Sequence, residues 1–214
     1  MTEQRLPIKP ISTVGDQTDS WAHLGPMDER GGAGYADFVQ TVRRLQNCIV
    51  AADAPADVLA EARTKLEQAF DLLAPYEAPE TETPVGTRLD LPGRGHPLLL
   101  PHIVDEWTPS HVRARVTFGR FYLGGNGAAH GGSLPLLFDE VLGRLASTTR
   151  PVARTAYIHV NYRHITPVDR ELVLDATIDS IDGRKRFASA RLLDGDRVVS
   201  DAEGLFVQLR PGQP

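Results

Sequence analysis

GGNGAAHGGSLPLLFDEVLGRLAS, residues 124–147, joins a glycine-rich turn to an apolar helix. Glycines precede and follow His130, and Gly131 and Gly132 lead into a run from Leu134 to Ser147 with helical spacing and an apolar majority. The first N–H groups of a helix have no partner inside it and lie at the positive end of its dipole. With no Cβ at positions 131 and 132, a ligand oxygen can approach those donors closely. A carbonyl oxygen that gains negative charge during a reaction suits such a place, an oxyanion hole. Gly-rich turns before helices are also common as plain turns.

Asp139 sharpens the pattern. Helical neighbours at three and four residues put it beside Pro135, Leu136, Leu142 and Gly143, an apolar face with a small residue. A buried carboxylate is costly unless it is paired or functional. Glu140, by contrast, has Arg144 four residues on, an ion pair suited to solvent. Eight residues separate Gly131 from Asp139, about 12 Å at 1.5 Å per residue. One reacting carbonyl cannot meet both on a single helix. If both act on it, the acid comes from a two-fold-related chain, and an isologous dimer satisfies this twice.

Outward from the helix, the chain from residue 98 reads mainly as strands. Val112, Ala114, Val116 and Phe118 alternate with Arg113, Arg115 and Thr117, a period of two. A run near 98–107 precedes them, and runs over 155–165, 171–181, 186–193 and 198–210 follow. Asp182-Gly183 and Asp194-Gly195 are hairpin signals. One helix among antiparallel strands makes an α+β domain over 98–214. Upstream, Tyr35, Phe38, Val42, Leu45, Ile49 and Ala52 form one amphipathic stripe. Leu59, Ala62, Leu66, Ala69 or Phe70, and Leu73 form another after a new start at Asp53 and Pro55, so 34–75 reads as an α-helical hairpin. Six prolines between 75 and 101 read as a stiff, extended linker over 76–97, and 1–33 as a flexible arm.

The chain has 214 residues, 41% hydrophobic and 24% charged, an ordinary globular balance. Its net charge of −5 speaks against a nucleic-acid partner. Residues 1–97 carry 15 acidic and 9 basic side chains; residues 98–214 carry 13 and 14, so the second half can hold an anion. Cys48 stands alone, which excludes an internal disulfide and a cysteine zinc site. No apolar run approaches a membrane span, and MTEQRLPIKP lacks the stretch of a secretory signal, so a cytoplasmic protein is expected.

The run H-G-G-x-x-x-x-L-x-D, His130 to Asp139, together with YLGGNG (122–127), ARTAYIHVNYRHITPV (153–168) and DGRKRFAS (182–189), resembles the hotdog-fold thioesterases of the phenylacetyl-CoA type. It is most similar to their mammalian long-chain acyl-CoA subgroup and actinobacterial relatives, over residues 98–210. The resemblance implies a curved antiparallel sheet around a long helix, a homodimer or dimer of dimers, and hydrolysis of an acyl-CoA thioester, here of medium to long chain. It implies no cofactor, since CoA belongs to the substrate. Asp139 matches the catalytic carboxylate, as general base or nucleophile. Gly131 matches the amide that polarises the carbonyl, His130 the histidine that shapes the turn, and Thr155 a Ser or Thr near the attacking water. Asn161, Arg163, Arg184 and Lys185 match positions that contact CoA. Many relatives carry an Asn six residues before the histidine. That position is Gly124 here, and Asn126, four before, is the nearby candidate for a substrate contact. Arg186 reads as a solvated basic edge, and His159 and His164 as ordinary strand histidines. A thioester has a good leaving group, so one carboxylate and one oxyanion donor suffice without a triad. A non-catalytic acyl-CoA sensor with the same cleft is the alternative.

Overall fold

The computed structural model describes residues 30–210. Most of the expected arm, residues 1–29, lies outside the described residues. Eight strands and three helices follow. They are α1 (Tyr35–Ala51), α2 (Ala56–Leu73), β1 (His102–Trp107), β2 (His111–Thr117), β3 (Leu123–Gly125), β4 (Ala128–Ala129), α3 (Ser133–Ser147), β5 (Ala153–Tyr162), β6 (Glu171–Asp182), β7 (Lys185–Asp194) and β8 (Arg197–Gln208). Six strands form one antiparallel sheet in the order β1-β2-β6-β7-β8-β5, and β3 and β4 make a small hairpin of their own.

The sheet folds around α3, as in a hotdog. Period-two alternation builds one wall: Val112, Ala114 and Val116 on β2, Leu172, Leu174 and Ala176 on β6, and Ala188, Ala190 and Leu192 on β7 are all buried. Leu134, Leu137, Phe138, Val141, Leu142 and Leu145 of α3 fill the space they enclose, with Phe206 of β8 and Phe118 just past the end of β2. Both Asp-Gly pairs sit at hairpins, with Gly183 and Gly195 at φ +55° and +59°, a backbone region open to glycine.

Arg186 differs from its expected solvated edge. It has the same parity on β7 as Ala188 and Ala190, so it points inward and is 2% exposed. Its guanidinium donates to Ala146 O and Pro151 O, both at 2.7 Å, and so ties β7 to the end of α3.

Both N-terminal helices form, with an extended turn at Ala52 between them. They do not bury their stripes together. Val39 and Arg43 of α1 are buried, whereas α2 buries no residue and leaves Leu59, Leu66 and Phe70 open. The proline-rich segment is exposed from 76 to 80 and packed, rather than extended, over its later part. Arg43 Nη2 donates to Pro92 O (2.8 Å) and His96 O (2.9 Å), Tyr35 OH donates to Gly95 O (2.8 Å), and Leu99 and Leu100 are buried. Proline stiffens a segment locally, but here two side chains of α1 collect its carbonyls and fold it onto the body. Among the described residues no helix is long and apolar enough to cross a membrane.

Candidate active site

The turn before α3 is closed by two backbone bonds. His130 N–H donates to Tyr122 O (2.6 Å) and Ala129 N–H to Thr166 O (2.8 Å). Glycine is required at 124: a Cβ there would lie 2.7 Å from His130 Cα and 3.0 Å from its nitrogen. The position at which the resemblance implies an Asn therefore admits no side chain in this backbone. Asn126 sits exposed at the tip of the β3–β4 hairpin with φ +50°, a conformation that Asn tolerates better than most residues.

The helix start then assigns its donors one by one. Gly132 N–H bonds His130 Nδ1 (3.1 Å), Ser133 N–H bonds His130 O (2.9 Å), and Leu134 N–H bonds Gly131 O (3.3 Å). The Gly131 N–H donates to none of the described residues. Its carbonyl is held by Tyr162 OH at 2.9 Å. His130 thus shapes the turn by accepting from Gly132, and a single backbone donor is left over at the positive end of α3.

Asp139 and Glu140 exchange the surroundings read from sequence. Asp139 is exposed in this chain and accepts a 2.7 Å hydrogen bond from Thr155 Oγ1. Glu140 is the buried acid, 7% exposed. Arg94 grips it with two bonds of 2.8 Å from Nε and Nη2, and Arg144 stands 3.6 Å away. The local i,i+4 pairing was visible in sequence; the bidentate partner, 46 residues upstream, was not. Around this pair lies a buried basic cluster. Burial pushes Arg144 down to about 10, and its guanidinium lies over Trp107 at 5.1 Å.

β5 serves both ends of the site. A bulge between Thr155 and Tyr157 shifts its register, so Thr155 falls on the same face as Ile158, Val160 and Tyr162, toward α3. Running antiparallel to the helix, the strand places Thr155 at Asp139 and Tyr162 at Gly131. Tyr162 escaped the sequence reading, because no local pattern marks a tyrosine that reaches a turn 31 residues earlier. A cavity of about 220 Å³ adjoins the turn, between Leu98, Phe121, Tyr122, His130, Ser133 and Leu136.

The four expected CoA contacts fall into two groups. Asn161 and Arg163 both bond Asp201, at 2.8 and 2.6 Å, beside an open groove of about 590 Å³ on the outer face of the sheet. The Arg163 guanidinium holds the Asp201 carboxyl below its ordinary range. Arg184 and Lys185 are exposed at the β6–β7 turn, with Arg184 bonded to Gln208 O (2.9 Å). Asn161 pairs with Asp201 and Lys185 with Val207, so six residues of β8, roughly 20 Å, separate the groups.

No protein-family model matches the chain. Among curated proteins, it is 33% identical over 95 residues to acyl-coenzyme A thioesterase THEM4 of Bos taurus, covering 44% of this chain and 39% of that protein. It is 31% identical over 94 residues to acyl-coenzyme A thioesterase THEM5 of Homo sapiens, covering 43% and 38%. The chain thus spans about two fifths of the length of these relatives. Among solved structures it superposes on protein RHA08564, a thioesterase superfamily protein, with a TM-score of 0.72 and 25% identity, covering 85% of this chain and 94% of that one. Residues 98–210 are 113 of 214, about 53%, so this likeness extends well upstream of the α+β half.

Proposed function

We propose that this chain, a hotdog-fold member of the thioesterase superfamily, hydrolyses a medium- to long-chain acyl-CoA thioester at a site shared between two copies of itself. The observation that carries this is the Gly131 N–H at the start of α3, unpaired among the described residues, on the same helix as an open carboxylate, Asp139, that Thr155 orients. The likeness to proteins named acyl-coenzyme A thioesterases supports the substrate class.

The chemistry needs little else. The thioester oxygen accepts from Gly131 N–H, and the carbonyl carbon becomes more electrophilic. With Asp139 as general base, a water held by Asp139 and Thr155 loses a proton to the carboxylate as its oxygen bonds the carbon. The tetrahedral oxyanion collapses, the C–S bond breaks, and the CoA thiolate takes the proton back from Asp139. With Asp139 as nucleophile, the same carboxylate displaces CoA to give an anhydride, which water then opens. The cavity beside Leu98, Phe121 and Leu136 offers the acyl chain apolar room.

Geometry supports the shared site. β5 is one edge of the sheet, β1 being the other, and a second β5 added antiparallel about a two-fold axis near Ile158 and His159 sets Thr155 of one chain opposite Tyr162 of the other. Thr155 bonds Asp139 and Tyr162 bonds Gly131 O, so that register brings the acid of one copy to the free amide of the other. Pairing also covers an edge that would otherwise expose Tyr157 and Tyr162. The two separated groups, Asn161 with Arg163 and Arg184 with Lys185, can then reach one CoA from different chains.

Complementation tests this. Asp139→Asn and Gly131→Pro, each verified as folded by circular dichroism, are expected to lose turnover by at least about 100-fold. Unfolded together and refolded in equal amounts, they should regain about a quarter of wild-type thiol release, since half the dimers are mixed and each has one intact site. No recovery despite mixed dimers would place the acid and amide of a working site on one chain. Wild-type protein that binds acyl-CoA esters and releases no thiol would make it a binder instead.

A further inference from the structure

The turn that presents Gly131 is held from a part of the chain outside the hotdog. α1 packs against residues 119–122, and Asn47 near its end reaches them directly. Asn47 Oδ1 accepts from Phe121 N–H at 2.9 Å, while its Nδ2 donates to Arg43 O at 3.2 Å, one helical turn back on α1. The second bond fixes which end of the amide faces the turn. Gly119 completes the fit, because a Cβ there would lie 2.5 Å from Asn47 Oδ1. α1 in turn is not free to drift. Buried Arg43 grips the carbonyls of Pro92 and His96, and Tyr35 that of Gly95.

From Asn47 the path to the free amide is short. Phe121 precedes Tyr122, whose carbonyl accepts from His130 N–H and whose hydroxyl donates to Leu98 O. His130 then accepts from Gly132 N–H, which brackets the Gly131 peptide. The aim of a single backbone donor decides how well it meets an oxyanion, and a small displacement of a reacting group costs much of the rate. We infer that Asn47 is a positioning residue for the Gly131 amide, and that α1 is a buttress of the active-site turn rather than a separate module. This rests on the thioesterase reading for its kinetic arm only.

Asn47→Leu keeps the side chain's size and removes the acceptor; Asn47→Asp keeps an acceptor for Phe121 N–H. Asn47→Leu should lower kcat roughly ten- to a hundredfold with KM for a decanoyl-CoA substrate changed less than about threefold, since the damage falls on transition-state stabilisation. Asn47→Asp should restore kcat to within a few fold of wild type. Independently of any activity, amide hydrogen exchange of the full chain should quicken across 119–132 in Asn47→Leu and return toward wild type in Asn47→Asp. Equal kcat in Asn47→Leu and wild type would overturn the inference, as would equal impairment of both variants, or exchange in 119–132 that does not respond to the acceptor. A wild-type protein without hydrolysis, together with acceptor-dependent exchange, would leave the buttress standing and remove only the thioesterase reading.

Discussion

Acidification should weaken this fold through one buried imidazole. His102 opens β1, is 4% exposed, and bonds Leu100 O at 3.2 Å through Nδ1. Burial first, then the charge of Arg144, pushes its pKa down from the ordinary 6.5 to about 4; Arg43 acts in the same direction, and the Leu100 carbonyl and Glu140 oppose them. Above pH 6.5 both folded and unfolded chains hold a neutral ring, and the residue contributes no pH dependence. Between 6.5 and 4 the unfolded chain takes up a proton that the folded one refuses, so stability falls as pH falls. Two and a half units at about 1.4 kcal/mol each amount to about 3.5 kcal/mol, of which about 2.5 kcal/mol is gone by about pH 4.5. That is a large part of the roughly 5–15 kcal/mol of an ordinary domain. Urea unfolding of wild type and His102→Gln in steps from about pH 7 to pH 4.5 measures it, since carboxylates titrate in both proteins and cancel in the difference. His102→Gln should start less stable and lose less, so that the two curves converge by about 2.5 kcal/mol. Parallel loss in the two proteins would refute the buried neutral imidazole.

Two further substitutions probe the surroundings of the site. Arg94→Met leaves the buried Glu140 with Arg144 at 3.6 Å and should cost about 3 kcal/mol in urea unfolding; adding Glu140→Met should recover little of it, because the largely buried Arg144 then loses the Glu140 carboxylate. Gly124→Ala forces a Cβ against the His130 backbone at 2.7 Å; a loss of roughly 1–3 kcal/mol in thermal unfolding and a fall in thiol release of at least about tenfold are expected.

What the sequence disclosed followed periodicity and local turn chemistry. The alternation of Val112, Ala114 and Val116 found β2 because one face of that strand is buried and the other is not. The Asp-Gly pairs found two hairpins, and the run from Leu134 found α3 to within a residue. Contacts between distant segments had no such signature. Glu140 has an obvious local partner in Arg144, yet the bonds that make its burial tolerable come from Arg94, whose φ of +53° marks a turn that no motif announces. The prolines of 76–97 suggested an extended linker because composition reports local stiffness and not the two α1 side chains that fold the segment down. Arg186 was legible in principle: its parity on β7 with Ala188, Ala190 and Leu192 points inward, and only its charge argued otherwise.

The free Gly131 amide is held from two sides that differ in kind. On one side Asn47, Tyr122 and Leu98 bind it to α1 and the packed proline-rich segment, through bonds made within one chain. On the other side Tyr162 holds its carbonyl from β5, one of the two edge strands of the sheet. A helix start needs only one firm support to keep its N–H pointed outward. A strand edge, by contrast, moves with whatever adds to it. The two supports differ in what they connect: the intrachain side ties the donor to α1, and β5 links it, through Tyr162 and Thr155, to a carboxylate about 12 Å down the same helix. In the proposed dimer the buttress would govern how well a carbonyl is polarised, and pairing at β5 would govern whether an acid is there to exploit it.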